Sequence, residues 1–196
     1  KVDYEELLES RYALLRKAYS NVGLSVDFLL ADFCNHHGWI RDYALYETLK
    51  GLYPDKDWWE WPEKYRHRDP KALAQIEEEH RDEMNFWIFT QYFFFMQWKD
   101  LKNYAASKNV SFFGDLPFYV PEDSVEVWVR PDLFLLGEDG RVAGTPADYF
   151  TSEGQLWGFP IYNWEKMEEE KYGWWLERLQ YQSSLFDYLR LDHFNA

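Results

Sequence analysis

The sequence holds a single cysteine, Cys34, among its 196 residues. No internal disulfide can staple it, so a disulfide-rich secreted scaffold is excluded, and a reducing, cytoplasmic setting is expected. Zinc spacing is missing too. His36 and His37 are adjacent, which is poor geometry for chelation from one helix face, and neither a metal nor a cofactor is expected. There is no long apolar run. The most apolar stretch, Phe86 to Trp98, includes Thr90, Gln91 and Gln97 and is too short and too polar to span a bilayer. The opening residues Lys1-Val2-Asp3-Tyr4 do not resemble a signal peptide. Basic residues are scarce, with 21 Lys and Arg against 35 Asp and Glu, a net charge of −14. That argues against nucleic acid and against an anionic membrane surface as partners. Internal repeats and low-complexity tracts are also lacking.

What the sequence has in excess is aromatic residues, 21% of the total, with 11 Trp, 15 Tyr and 15 Phe. Rings supply large, rigid contact area with a polar edge. Many must fill core. So many Trp and Tyr in an acidic chain also suit a neutral ligand such as a sugar, whose C–H faces stack on flat rings.

Apolar spacing predicts an amphipathic helix over residues 1–20, with Tyr4, Leu7, Leu8, Ala13 and Leu14 near a helical period. Two helices follow over 25–51, separated at Gly38. Trp58 to Arg68 reads as a loop. Asp69-Pro70 is a start signal, Asp as N-cap and Pro at the first helical position. A long helical region then runs to about Lys108, with Trp87, Phe94, Trp98, Leu101 and Ala105 as a core stripe. The period changes at Asn109. Residues 109–113 read as a strand closed by Gly114-Asp115-Leu116-Pro117. A turn-rich segment follows from Pro121 to Pro160, with a short helix near 123–129. A helix from Trp164 to about Phe186 carries Trp175, Leu176, Leu179, Ser183 and Phe186 inward. The last strand ends on Asp192. Strand, long crossover and strand imply two parallel strands in one sheet. Two strands alone would leave bare edges and apolar faces, so an α/β architecture with a larger parallel sheet is expected.

The segment Leu189-Arg190-Leu191-Asp192-His193-Phe194 carries the chemistry. Period-two alternation puts Tyr188, Arg190 and Asp192 on one face and Leu189 and Leu191 on the other. A guanidinium two residues from a carboxylate favours the ionised acid. A charged carboxylate at the C-terminal mouth of a parallel strand can present a nucleophile. On spacing alone a surface ion pair is the better reading, since perturbed acids also occur in structural networks. The motif gains force from its neighbours. Both strands end on an acid, Asp115 and Asp192, and in a parallel barrel both would face one mouth.

Several spaced motifs in order resemble a known family. They are Trp39-Ile40-Arg41-Asp42-Tyr43-Ala44-Leu45, Arg68-Asp69-Pro70, Gly114-Asp115-Leu116-Pro117-Phe118-Tyr119-Val120, Ala143-Gly144-Thr145-Pro146-Ala147-Asp148-Tyr149-Phe150, Gly154-Gln155-Leu156-Trp157-Gly158-Phe159-Pro160 and Arg190-Leu191-Asp192-His193-Phe194. The sequence is similar to 4-α-glucanotransferases of the amylomaltase or disproportionating-enzyme type, glycoside hydrolase family 77. The resemblance implies a (β/α)8 TIM barrel with large helical insertions. Residues 1–108 would form a helical insertion subdomain, and 109–196 part of the catalytic barrel. It implies retaining transfer of α-1,4-glucan segments between maltooligosaccharides, with a starch- or glycogen-type glucan as partner. Asp192 matches the nucleophile and Arg190 the residue that orients it. His193, Asp115, Pro117 and Tyr119 match substrate-binding positions. Asp148, Tyr149, Phe150 and Trp157 match a loop that closes over the glucan.

Three departures stand out. Ala147 replaces the second Pro of the usual Pro-Pro-Asp-Tyr-Phe. Phe159 stands where Asn is frequent. Asn195-Ala196 replace an Arg-Gly-Phe run. Retaining chemistry needs two carboxyl groups roughly 5–5.5 Å apart, and the motifs supply one. The expectation is therefore a piece of a longer enzyme, with its first barrel strands and its acid/base Glu outside this sequence. Two other readings stay open: a non-catalytic glucan-binding or structural fragment, and an α-amylase-like hydrolase, which differs in how well a closed lid excludes water.

Overall fold

The computed structural model describes residues 2–22, 25–137, 142–147, 149 and 151–191. The chain divides into two compact units, Lys1–Asp100 and Leu101–Ala196.

The first unit is helical: α1 (Tyr4–Ser20), α2 (Ser25–His36), α3 (Ile40–Leu52), α4 (Glu63–Arg66), α5 (Pro70–Glu79) and the start of α6 (Arg81–Ser107). Local signals set its boundaries. The Asp3 carboxylate caps α1 by accepting the Glu6 N–H. Asp69 accepts from Lys71 N and Ala72 N, with Pro70 at the first turn of α5; each such cap is worth about 1 kcal/mol. The core centres on α3, where Ile40, Ala44 and Leu49 are fully buried. Thr48 is tolerated there because its hydroxyl donates to the Ala44 carbonyl at 2.7 Å. Arg16 holds α1 on α6 by bonding both carboxylate oxygens of Glu83, at 2.7 and 2.5 Å, with its guanidinium over the Phe86 ring.

Four expectations for the helical region are corrected. The α1 side that packs carries Leu15 and Tyr19, whereas Tyr4, Leu7, Leu8, Ala13 and Leu14 are exposed. Trp58 to Arg68 is not an open loop. It winds into a 3-10 turn, Trp58–Glu60, and then α4, because Trp58, Trp61 and Tyr65 turn inward and are buried. In α6 the buried side chains are Met84, Phe86, Ile88, Phe89 and, of the expected stripe, Ala105, while Phe94 and Leu101 are exposed. The helical region also breaks at His80, which leaves helical geometry to cap α5.

The second unit carries the strands: β1 (Phe113–Leu116), β2 (Phe134–Leu135), β3 (Val142–Thr145), β4 (Gln155–Tyr162) and β5 (Tyr188–Leu191). Between them lie α7 (Val125–Val129), α8 (Trp164–Glu169) and α9 (Gly173–Leu185). β1 and β5 pair in parallel, Phe113 opposite Tyr188 through Leu116 opposite Leu191, as the sequence order implied. β1 starts later than the predicted 109–113. Asn109 adopts a left-handed conformation (φ 58°) and the Val110 N–H returns to the Ala105 carbonyl, so these residues close α6 instead of extending. β2, β4 and β3 form an antiparallel sheet in that order, within the stretch read as turns. β3 lies so close to β4 that a Cβ on Gly144 would sit 2.3 Å from the Gln155 carbonyl oxygen.

The predicted helix 164–186 is two helices. Lys171 and Tyr172 are both left-handed, at φ 53° and 56°, and end α8 by returning N–H groups to Glu168 and Met167. Of the residues assigned inward on α9, Trp175 is buried, whereas Leu176 and Ser183 are exposed. The core of this unit is Leu116, Val127, Trp128, Leu133 and Met167, each at most 1% accessible. No helix among the described residues is long and apolar enough to cross a membrane.

Candidate active site

The parallel pair sets the site. Directly opposed residues of two strands share a face, so Phe113 and Asp115 of β1 stand with Tyr188 and Arg190 of β5. Both pairs meet. The Phe113 and Tyr188 rings stack at 6.2 Å between centroids. One step towards the C-terminal end, Arg190 Nε and Nη2 donate to the two oxygens of Asp115 at 3.1 and 2.5 Å. The other face is apolar. Gly114 packs directly against Phe186, leaving no room for a Cβ, and Leu116 is buried.

This side-on fork fixes the Arg190 guanidinium in plane and direction. About half of each side chain remains open to solvent, so the pair adds only about 0–1 kcal/mol to stability while holding a cation at the end of both strands. Below it, the start of β5 is clamped. The Asp187 carboxylate accepts the Phe112 N–H at 2.7 Å and faces Lys102 at 3.5 Å. The backbone donor, then the lysine, hold its carboxyl below the usual carboxylate range.

After β1 the chain turns through Pro117 to Tyr119. Pro117 is exposed, and its carbonyl accepts from Arg178 of α9 at 2.6 Å. The Phe118 carbonyl accepts the hydroxyl of Tyr162. Tyr119 stacks on Tyr162, with centroids 5.6 Å apart and planes 14° apart, with Phe118 edge-on at 5.1 Å and Trp157 at 6.0 Å. Burial raises the Tyr119 phenol pKa.

Trp157 belongs to β4, not to a loop. Its indole N–H donates to Gln155 Oε1 at 2.9 Å, and Gly158 takes a left-handed φ of 75° immediately after it. Tyr149 is 97% exposed. The structure therefore joins Asp115 with Arg190 and Tyr119 with Trp157. Asp148, Phe150, Asp192 and His193 lie outside the described residues. Sequence reasoning gave Arg190 a partner on its own strand and set Asp115 at the same strand ends, but missed the bond between Asp115 and Arg190 across the ladder. The equal register of two acid-ended parallel strands was the signal available. It also missed Tyr162, whose ring carries Tyr119. Among the described residues no group of acids, histidines and cysteine could hold a metal ion.

The family model for 4-alpha-glucanotransferase, glycosyl hydrolase family 77, matches residues 1–196. The chain is 43% identical over 98% of its length to a 4-alpha-glucanotransferase of Aquifex aeolicus, covering 40% of that protein. It is 37% identical over its full length to one of Clostridium butyricum, covering 41%. Among solved structures, an amylomaltase from Streptococcus agalactiae in complex with acarbose superposes with a TM-score of 0.89 at 41% identity, over 98% of this chain and 40% of that one. The chain thus spans about two fifths of the length of these relatives. Over that span it belongs to the 4-alpha-glucanotransferase family, glycosyl hydrolase family 77.

Proposed function

We propose that the protein carrying this sequence is a 4-α-glucanotransferase that moves α-1,4-glucan segments between maltooligosaccharides by retaining double displacement. The observation that carries this reading is the Arg190–Asp115 fork at the C-terminal ends of two parallel strands, in a chain of this family. β1 and β5 are assigned to neighbouring strands of a (β/α)8 barrel formed by residues 109–196 and chain beyond them, and residues 1–108 to a helical insertion.

Asp192 follows β5 by one residue. In the first step its carboxylate oxygen bonds to the anomeric carbon, and the glycosidic bond breaks. A carboxylic acid, which we assign to no residue of this chain, gives its proton to the leaving oxygen. In the second step the 4-hydroxyl of an acceptor glucan attacks the glucosyl-Asp192 ester and returns its proton to that acid. Arg190, fixed by Asp115, keeps Asp192 ionised and aimed. His193 and Asp115 hold hydroxyls of the sugar at the cleaved bond, and Pro117 lies beside them. Tyr119 and Trp157 stack on the glucan, and Asp148, Tyr149 and Phe150 close over it. Transfer wins over hydrolysis to the extent that this closure excludes water.

Maltotriose tests the reading. Transfer gives glucose together with maltotetraose and longer products. Glucose and maltose alone would identify a hydrolase. No turnover with intact glucan binding would identify a non-catalytic glucan-binding protein.

A further inference from the structure

A groove in the same unit is bordered by the Tyr119 and Tyr162 rings. Its volume is about 450 Å3, within the range of small-ligand sites. Its floor is the cross-strand pair Leu135 and Ile161 of β2 and β4. Tyr119, Tyr162 and Trp164 line it with rings, and Asn163 and Glu165 supply polar groups. Leu135 and Trp164 each keep 44% of their surface open within this span.

The polar groups differ in what they already bind. Asn163 is committed: its Oδ1 accepts the Lys166 N–H at 3.2 Å and its Nδ2 donates to the Asp132 carbonyl at 3.3 Å. The Glu165 carboxylate and the Tyr119 hydroxyl make no hydrogen bond or ion pair with any described residue. An oily ligand would cover both without satisfying them, at a cost of about 1–3 kcal/mol each. An anion would meet Glu165 in a chain of net charge −14. A neutral polyol matches all three features, with C–H faces for the rings and floor and hydroxyls for the carboxylate and the phenol. The groove is also continuous with the candidate site through rings. Trp157, Tyr119, Tyr162 and Trp164 follow one another at 6.0, 5.6 and 5.2 Å between centroids.

We propose that this groove is an additional glucan subsite, in which Trp164 stacks on a sugar ring, the Tyr119 hydroxyl donates to a sugar oxygen and Glu165 accepts hydroxyl hydrogens. It rests on the glucan reading above. It extends the contact surface to longer chains than the Asp115–Arg190 end alone would hold.

Isothermal titration of maltoheptaose into the intact protein, in an Asp192→Asn background to prevent turnover, tests it. Leu135→Arg lays a cation across the floor and is expected to weaken binding at least tenfold. Glu165→Gln keeps shape at an exposed position and is expected to weaken it at least threefold. It also carries the test alone if circular dichroism shows Leu135→Arg to be unfolded. Folded variants that bind within twofold of the parent overturn the subsite and leave the glucan reading standing. A parent that binds no maltoheptaose overturns the glucan reading, and the subsite with it.

Discussion

Asp115 and Arg190 face each other in register across two parallel strands, and both carboxylate oxygens accept from the one guanidinium. The arginine therefore has a fixed address supplied by a strand 75 residues away in sequence. Arg190→Ala is expected to shift the denaturation midpoint little, because the pair is half exposed. It should reduce transfer about a hundredfold, the scale of a small misplacement of reacting groups. Asp115→Asn should reproduce the loss in part, since it frees the guanidinium. Steady-state kinetics with maltotriose, alongside urea melts, separates the two effects.

Asp192→Asn keeps the shape of the side chain and removes its charge. Transfer is expected to fall by several orders of magnitude, more than for Arg190→Ala, while affinity for maltooligosaccharide stays near that of the parent. That split marks an interaction made only in the transition state. Near-normal turnover in this variant would remove Asp192 from the nucleophile's role.

Gly114→Ala tests the apolar face of the same strands. A Cβ there would lie 2.4 Å from the Phe186 ring, so ring or backbone must move. A loss of about 1–3 kcal/mol is expected in urea unfolding. Phe186→Leu should recover part of it in the double variant, because the two changes share one space.

Acid should loosen the second unit. Arg130 bonds the carboxylates of Asp132 and Glu170, and those bonds hold both below their ordinary values. Asp187 is lowered by the Phe112 N–H. Depressed carboxylates contribute stability that is complete above their unfolded values and is lost as pH falls through the folded ones. Melting temperature should therefore be level down to about pH 4 and fall below it. Arg130→Met should flatten the part of that fall that comes from Asp132 and Glu170.

The legible parts of this fold were those governed by short-range chemistry. Asp69-Pro70 started a helix because a carboxylate cap and a fixed φ act within one turn. Gly38 separated α2 from α3 for a similar local reason. The parallel pairing of β1 and β5 followed from chain order. Features decided by tertiary contact were not legible. β2 is two residues long and exists only because β4 pairs with it. Lys171 and Tyr172 carry no breaker signal, yet both turn left-handed to redirect the chain between α8 and α9. Phe94 and Leu101 keep helical spacing with the buried residues and are nonetheless exposed. At the site, Arg190 was legible as a partner for a carboxylate. Its bond to Asp115 depends on register, which a spacing along one strand cannot contain.

The long separation between β1 and β5 also governs how the protein assembles. Every bond of that pair closes a loop of about 75 residues, and the chain entropy of such closure precedes any reward from the contact. The bonds within each helix and those of the β2–β4–β3 sheet close much shorter loops, whereas the Arg16–Glu83 contact of α1 with α6 spans 67 residues and carries a similar cost. The strand pair that fixes Arg190 is then among the last contacts to be made. A folding experiment that follows the Phe113–Tyr188 ring stack would see it appear after most of the helical signal has returned. A destabilised variant would lose the Arg190 fork before it loses the scaffold around it.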